Sequence, residues 1–157
     1  MIKERFSDVT LVELPPLRVA CFRATSRTPE DDALKVLTQW ASGAGLSAPF
    51  RTFGFECEVT PEQSQAGLRS YELWFVVPDG VVGAGPVTIR VFPGGRFAAM
   101  TLFEPFADPF ERIPAGWDML HEWAVSRGTV EPSPFPCLEE VVDHGGQTDM
   151  ILYHPLP

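Results

Sequence analysis

Two stretches of this sequence repeat one pattern. From Val9 the chain reads VTLVELPPLRVACF, and from Val87 it reads VTIRVFPGGRFAAM. Both open Val-Thr-Leu/Ile and both set an apolar residue and a proline before a tight turn. Both then continue with a basic residue, an apolar one and an alanine: Arg18-Val19-Ala20 and Arg96-Phe97-Ala98. An internal repeat constrains the fold strongly, because each copy must form the same local structure and leave the same apolar face to be covered.

Inside each copy the signals come in one order. Residues 9–14 and 17–24, and then 87–92 and 95–103, are β-rich runs punctuated by Pro15-Pro16 and by Pro93-Gly94-Gly95. Such punctuation predicts a hairpin of two strands, or one strongly bent strand. A helix follows. Thr28-Pro29-Glu30-Asp31 offers an N-cap hydroxyl, a first-turn proline and acidic residues, and Leu34, Leu37, Trp40 and Ala41 form a stripe of helical period before Gly43 and Gly45. In the second copy Pro114 opens the helix, Trp117, Leu120, Trp123 and Ala124 repeat the stripe, and Gly128 closes it. Two strand-like runs come next: FRTFGFECEV from Phe50 and SYELWFVVP from Ser70, then FPCLEEVV from Phe135 and TDMILYHPLP from Thr148.

The tryptophans that end the helices, Trp40 and Trp123, are 83 positions apart, and that offset sets Glu56 on Glu139. The opening strands are offset by 78, so short insertions separate the copies. The expected architecture is α+β: one domain over residues 1–157, made of two strand-helix-strand-strand repeats at about 7–78 and 86–157. Pro78–Pro86 is the expected linker. A pseudo-twofold would pair the copies into a two-layer antiparallel sheet with two main helices and a central cleft, the place where repeats favour a ligand.

Composition narrows the partners. Twelve basic against twenty-one acidic residues give a formal charge of −9, which argues against a phosphate-backbone partner and suits a cationic one. Cys21, Cys57 and Cys137 are odd in number and lie in apolar runs, so buried, reduced thiols are expected. No apolar run approaches the ~18 residues of a membrane span, and the first residues lack a leader's apolar core. A cytoplasmic protein without cofactor or metal is expected: HEWAV at His121 lacks the second histidine of a zinc helix, and PGGR at Pro93 lacks the Gly-Lys-Ser/Thr of a phosphate loop.

The ordered set VELPPLRVACFR, SYELWFVV, FPGGRFAAMT and IPAGWDMLHEWAVSRG with PFPCLEEV resembles the GyrI-like domains, over roughly residues 7–157. The resemblance implies a duplicated α+β fold of the SHS2 type with a pocket for hydrophobic, often cationic, small molecules. It implies a stand-alone binder, with hydrolysis of reactive cyclopropane-bearing natural products as the alternative and interaction with a separate regulator or DNA gyrase as another. The family's pocket glutamate maps onto Glu139 through PCLEEV. The family tyrosine two positions on is Val141 here, and LFEP at Leu102–Pro105 stands where many members carry His-Lys-Gly-Pro.

Alternation on a strand sends Glu139 and Glu140 to opposite faces, so one can face a pocket while the other meets solvent. A carboxylate in an apolar cleft attracts a cation or serves as a general base. Glu139 is the expected pocket residue and, if the protein is an enzyme, its base; Glu56 is its repeat partner. Tyr71 and Trp74, three apart on one strand, face opposite sides, and Tyr71 is the better candidate to orient a ligand or assist catalysis. Trp117, Phe103 and Phe55 complete the expected aromatic wall, while Trp40 and Trp123 read as core.

Overall fold

The protein is described here by a computed structural model covering residues 5–128 and 135–157. In chain order its elements are β1 (Thr10–Leu14), β2 (Leu17–Ser26), α1 (Pro29–Gly43), β3 (Thr52–Cys57), α2 (Pro61–Gln65), β4 (Arg69–Val76), β5 (Thr88–Phe92), β6 (Gly95–Leu102), a 3-10 turn (Pro105–Ala107), α3 (Pro109–Ser126), β7 (Leu138–His144) and β8 (Gln147–Pro155). They form an α+β fold of two compact units: Pro16–Pro93, and Met1–Pro15 with Gly94–Pro157.

In the unit of residues 16–93 the strands run antiparallel in the order β3-β4-β2-β5. Helix α1 covers one face. Its buried residues Ala33, Leu37 and Ala41, spaced i, i+4, i+8, pack on Ala20, Ala24, Tyr71, Leu73 and Phe75. The stripe is thus rotated by one residue from the expected one, and Leu34 is 48% exposed. Small side chains at 33 and 41 allow the close approach to the sheet that Leu34 would prevent. Pro29 takes the first-turn position, but the Thr28 hydroxyl does not cap the helix backbone. Asp32 draws it away, accepting hydrogen bonds from both the Ser26 and Thr28 hydroxyls. The short α2 was not anticipated. Its signal is Thr60-x-x-Gln63, where the Gln63 amide donates to Thr60 Oγ1 (3.1 Å) and the Thr60 amide to Gln63 Oε1 (2.9 Å). Pro78–Pro86 is no boundary between the compact units. It folds back on its own unit, with Arg18 Nη2 donating to the Val81 carbonyl at 2.7 Å.

The other unit runs antiparallel in the order β1-β6-β8-β7. Helix α3 packs Leu120 on Ala98, Met100, Leu102, Met150 and Leu152, with Trp117 and Trp123 at the border of that core. It begins at Pro109, five residues before Pro114, which lies inside it. Pro109 is the start signal that competes with Pro114. The carbonyl that loses its N–H partner to Pro114 belongs to Phe110, whose side chain is 93% exposed, so water can replace the bond. Gly128, at φ +70°, closes the helix as expected.

The expected hairpins do not form. Strand β1 pairs with β6, while β2 pairs with β4 and β5, so the opening strand of each sequence copy joins the sheet built from the other copy. Two-residue hairpin loops need positive φ at the first position, and proline holds φ near −65°. Pro15 and Pro93 occupy that position, and each pair is two separate strands that do not pair with each other.

Gly54, on β3, lies directly beneath the Tyr71 ring: a Cβ there would come within 2.2 Å of Tyr71 Oη and 2.5 Å of its Cε1. Gly54→Ala should therefore cost about 1–3 kcal/mol of stability, measured by urea unfolding. Adding Tyr71→Ala should give a double mutant less destabilised than the sum of the single changes; strict additivity would refute the contact.

Candidate functional site

The PCLEEV segment puts Glu139 and Glu140 on successive positions of β7, where Glu139 pairs in register with Leu152 and Glu140 with Ile151. Leu152 belongs to the core beneath α3, so Glu139 shares the α3 side of the sheet. There the Trp117 indole Nε1–H donates to Glu139 Oε2 at 3.2 Å, and both residues are half-buried. This N–H orients the carboxylate.

Glu140 does not meet solvent. It is 6% exposed on the opposite face and accepts a 2.6 Å hydrogen bond from the Tyr153 hydroxyl, whose ring stands edge-on to Phe97 at 6.0 Å. A carboxylate that deep requires a donor, and the phenol supplies one. The tyrosine two residues beyond the family glutamate is absent, but Tyr153 on the neighbouring strand serves the other acid.

The α3 side of the same sheet carries more chemistry. His121 lies one helical turn beyond Trp117, and its ring centroid is 6.2 Å from that of His154 on β8. His154 Nδ1 is 3.8 Å from Cys137 Sγ. The three cysteines are all free, but only Cys21 is buried; Cys57 is half-buried and Cys137 exposed, against the expectation of three buried thiols. Partial desolvation of its sulfur still holds the Cys137 thiol above its ordinary value.

The remaining expected residues lie in the unit of residues 16–93. Tyr71 is a core residue on the α1 side, 8% exposed. Glu56 is exposed and bound by Arg69, whose Nη2 is 2.9 Å from Glu56 Oε2 and which also pairs with Glu30. Both carboxylates hold the Arg69 guanidinium more firmly in its charged form. Glu56 is thus a surface ion-pair partner rather than a free second acid. Phe103 is half-buried just past β6, with its amide donating to the Arg5 carbonyl at 2.8 Å.

Trp74 and Phe55 sit together, edge to face at 5.5 Å, on the side of the sheet away from α1. They surround an acid that sequence reasoning missed. Glu72 is 4% exposed; it accepts from Trp74 Nε1 at 2.6 Å, from Arg23 Nε at 3.1 Å and from Arg90. The signal was present in SYELWFVV. Both faces of that run are apolar, so a glutamate inside it demands buried partners, and Arg23 lies opposite it in register. The two arginine side chains are about half exposed, so solvent screens these pairs.

Among the described residues, no group of three or more His, Cys, Asp and Glu side chains could hold a metal ion, and no helix is long and apolar enough to cross a membrane.

Glu72→Ala leaves the Trp74 indole without its acceptor and should cost about 1–3 kcal/mol in urea unfolding. Glu72→Gln keeps an oxygen for the indole and should cost less. Equal stability of Glu72→Ala and the parent chain would show that this network contributes nothing.

Four antiparallel strands backed by one long helix in each unit define an α+β domain. The chain belongs to the GyrI-like family: the family model described as the GyrI-like small molecule binding domain matches residues 7–150. No curated protein matches the sequence. Among solved structures, the EcmrR C-terminal domain is similar in fold, with a TM-score of 0.74 at 14% identity over 96% of this chain and 97% of that one. SAV2435 bound to tetraphenylphosphonium gives 0.60 at 12% identity over 96% and 94%. A hydrolase from Listeria innocua gives 0.58 at 11% over 95% and 91%. The chain spans 57% of the longer EcmrR chain seen in a complex with DNA.

Proposed function

We propose that this chain binds a small hydrophobic molecule that carries a positive charge or an aromatic ring system, with Glu139 and Trp117 as its principal contacts. One observation carries the reading: a half-buried carboxylate on the α3 side of the sheet, held by the Trp117 indole N–H at 3.2 Å. The carboxylate offers charge complementarity, and an aromatic face next to it adds about 0.5–2 kcal/mol for a cation, depending on desolvation. The net charge of −9 raises the local concentration of cations around the whole molecule. The shared fold with SAV2435, solved with a lipophilic cation, supports the same ligand class.

A second reading is hydrolysis of a reactive electrophile, with Glu139 activating water as general base; its support is the shared fold with the Listeria innocua hydrolase.

Titration with tetraphenylphosphonium, followed by tryptophan fluorescence, tests the binding reading. The parent chain should bind, Glu139→Gln should weaken binding about tenfold or more, equivalent to about 1.4 kcal/mol, and Trp117→Phe should remove most of the fluorescence response. An unchanged Kd in Glu139→Gln would refute the assignment. Incubation with a cyclopropane-bearing alkylator separates the two readings: product beyond one equivalent, abolished by Glu139→Gln, identifies an enzyme.

A further inference from the structure

The three thiols of this chain are held in different ways. Cys21 Sγ donates to the Val19 carbonyl at 3.8 Å and Cys57 Sγ to the Phe55 carbonyl at 3.7 Å. A backbone carbonyl cannot take a proton away. Cys137 is exposed, and its partner is a base, His154 Nδ1 at 3.8 Å. The imidazole is itself flanked by His121 across a 6.2 Å ring separation, and by the sheet that carries Glu139. An exposed cysteine with an imidazole nitrogen at sulfur hydrogen-bond range is an arrangement that the binding of a cation does not require.

We infer that Cys137 and His154 form a thiol–imidazole pair that captures soft, electrophilic small molecules as thioether adducts. The Cys137 sulfur attacks an electrophilic carbon, the carbon–leaving-group bond breaks, and the leaving group departs with the bonding electron pair. The thiol proton passes to His154 Nδ1 and from there to solvent. No oxidant or further reactant is needed.

Burial of its sulfur pushes the Cys137 thiol up, which favours the protonated form, so attack gains from a base beside it. His154 is met by Cys137 Sγ at 3.8 Å and by the His121 ring at 6.2 Å. This inference does not depend on a ligand held by Glu139.

The test is alkylation of the full chain by iodoacetamide at about pH 7, with iodide as leaving group. Intact mass and peptide mapping would assign each label. Cys137 should take the first label, about tenfold faster than Cys57, and His154→Gln should slow that label about fivefold. Cys137→Ser should remove the label while leaving tetraphenylphosphonium binding intact, which separates this inference from the Glu139 reading. If the parent chain's Cys137 instead takes the label no faster than Cys57, the pair is an incidental contact; that result needs no variant to fold.

Discussion

Proline at the first position of a two-residue link holds φ near −65°, whereas every two-residue hairpin loop that matches strand twist needs positive φ there. The chain meets this obstacle twice, at Pro15 and at Pro93. After Pro93, Gly94 adopts φ +82°, a conformation open to glycine. The backbone groups of β1 and β5 still need partners, because an unpaired ladder in a packed domain is costly. They find them on β6 and β2, beyond their own sequence copies. Strand order in each unit therefore follows from a restriction on one dihedral angle.

That sheet arrangement forces acids into interior positions, and the chain satisfies each one differently. Glu72 receives two guanidinium groups and an indole, so its charge is matched and it acts as structure. Glu140 receives a phenol at 2.6 Å on the face away from α3. Glu139 receives an indole N–H on the side where α3 packs. The arginines bring full charges to Glu72, while the indole and the phenol contribute neutral, orienting hydrogen bonds to Glu139 and Glu140.

Strand and helix positions were legible because they rest on local periodicity and punctuation: β3 lies within its expected run, and β4, β7 and β8 overrun theirs by one or two residues. The errors share a cause. Leu34 looked like core because it is large, yet the sheet surface beneath α1 accepts the smaller Ala33 and Ala41. Pro114 looked like a start because proline favours first turns, yet Pro109 offers the same signal earlier. Alternation told correctly that Glu139 and Glu140 part company across β7, but it could not show that Tyr153, thirteen residues on, would draw Glu140 inside. Glu72 was overlooked although SYELWFVV already demanded a partner for it. Cys137 with His154 was invisible for a different reason: the two are seventeen residues apart and meet only when β7 and β8 pair.

Helix α3 shows how packing and chemistry can be separated on one element. Gly116, Leu120 and Ala124 repeat every fourth residue and are buried against the sheet. Trp117 and His121, each one position further along, form the adjacent stripe and reach Glu139 and His154. Packing is tight at Gly116, where a Cβ would come within 3.0 Å of Leu152 Cδ1 and 3.5 Å of Leu102 Cδ2. Glycine in a helix interior costs about 1 kcal/mol relative to alanine. What it gains is a close approach of α3 to β8, and the Trp117–Glu139 contact at 3.2 Å is made on the same stretch of helix.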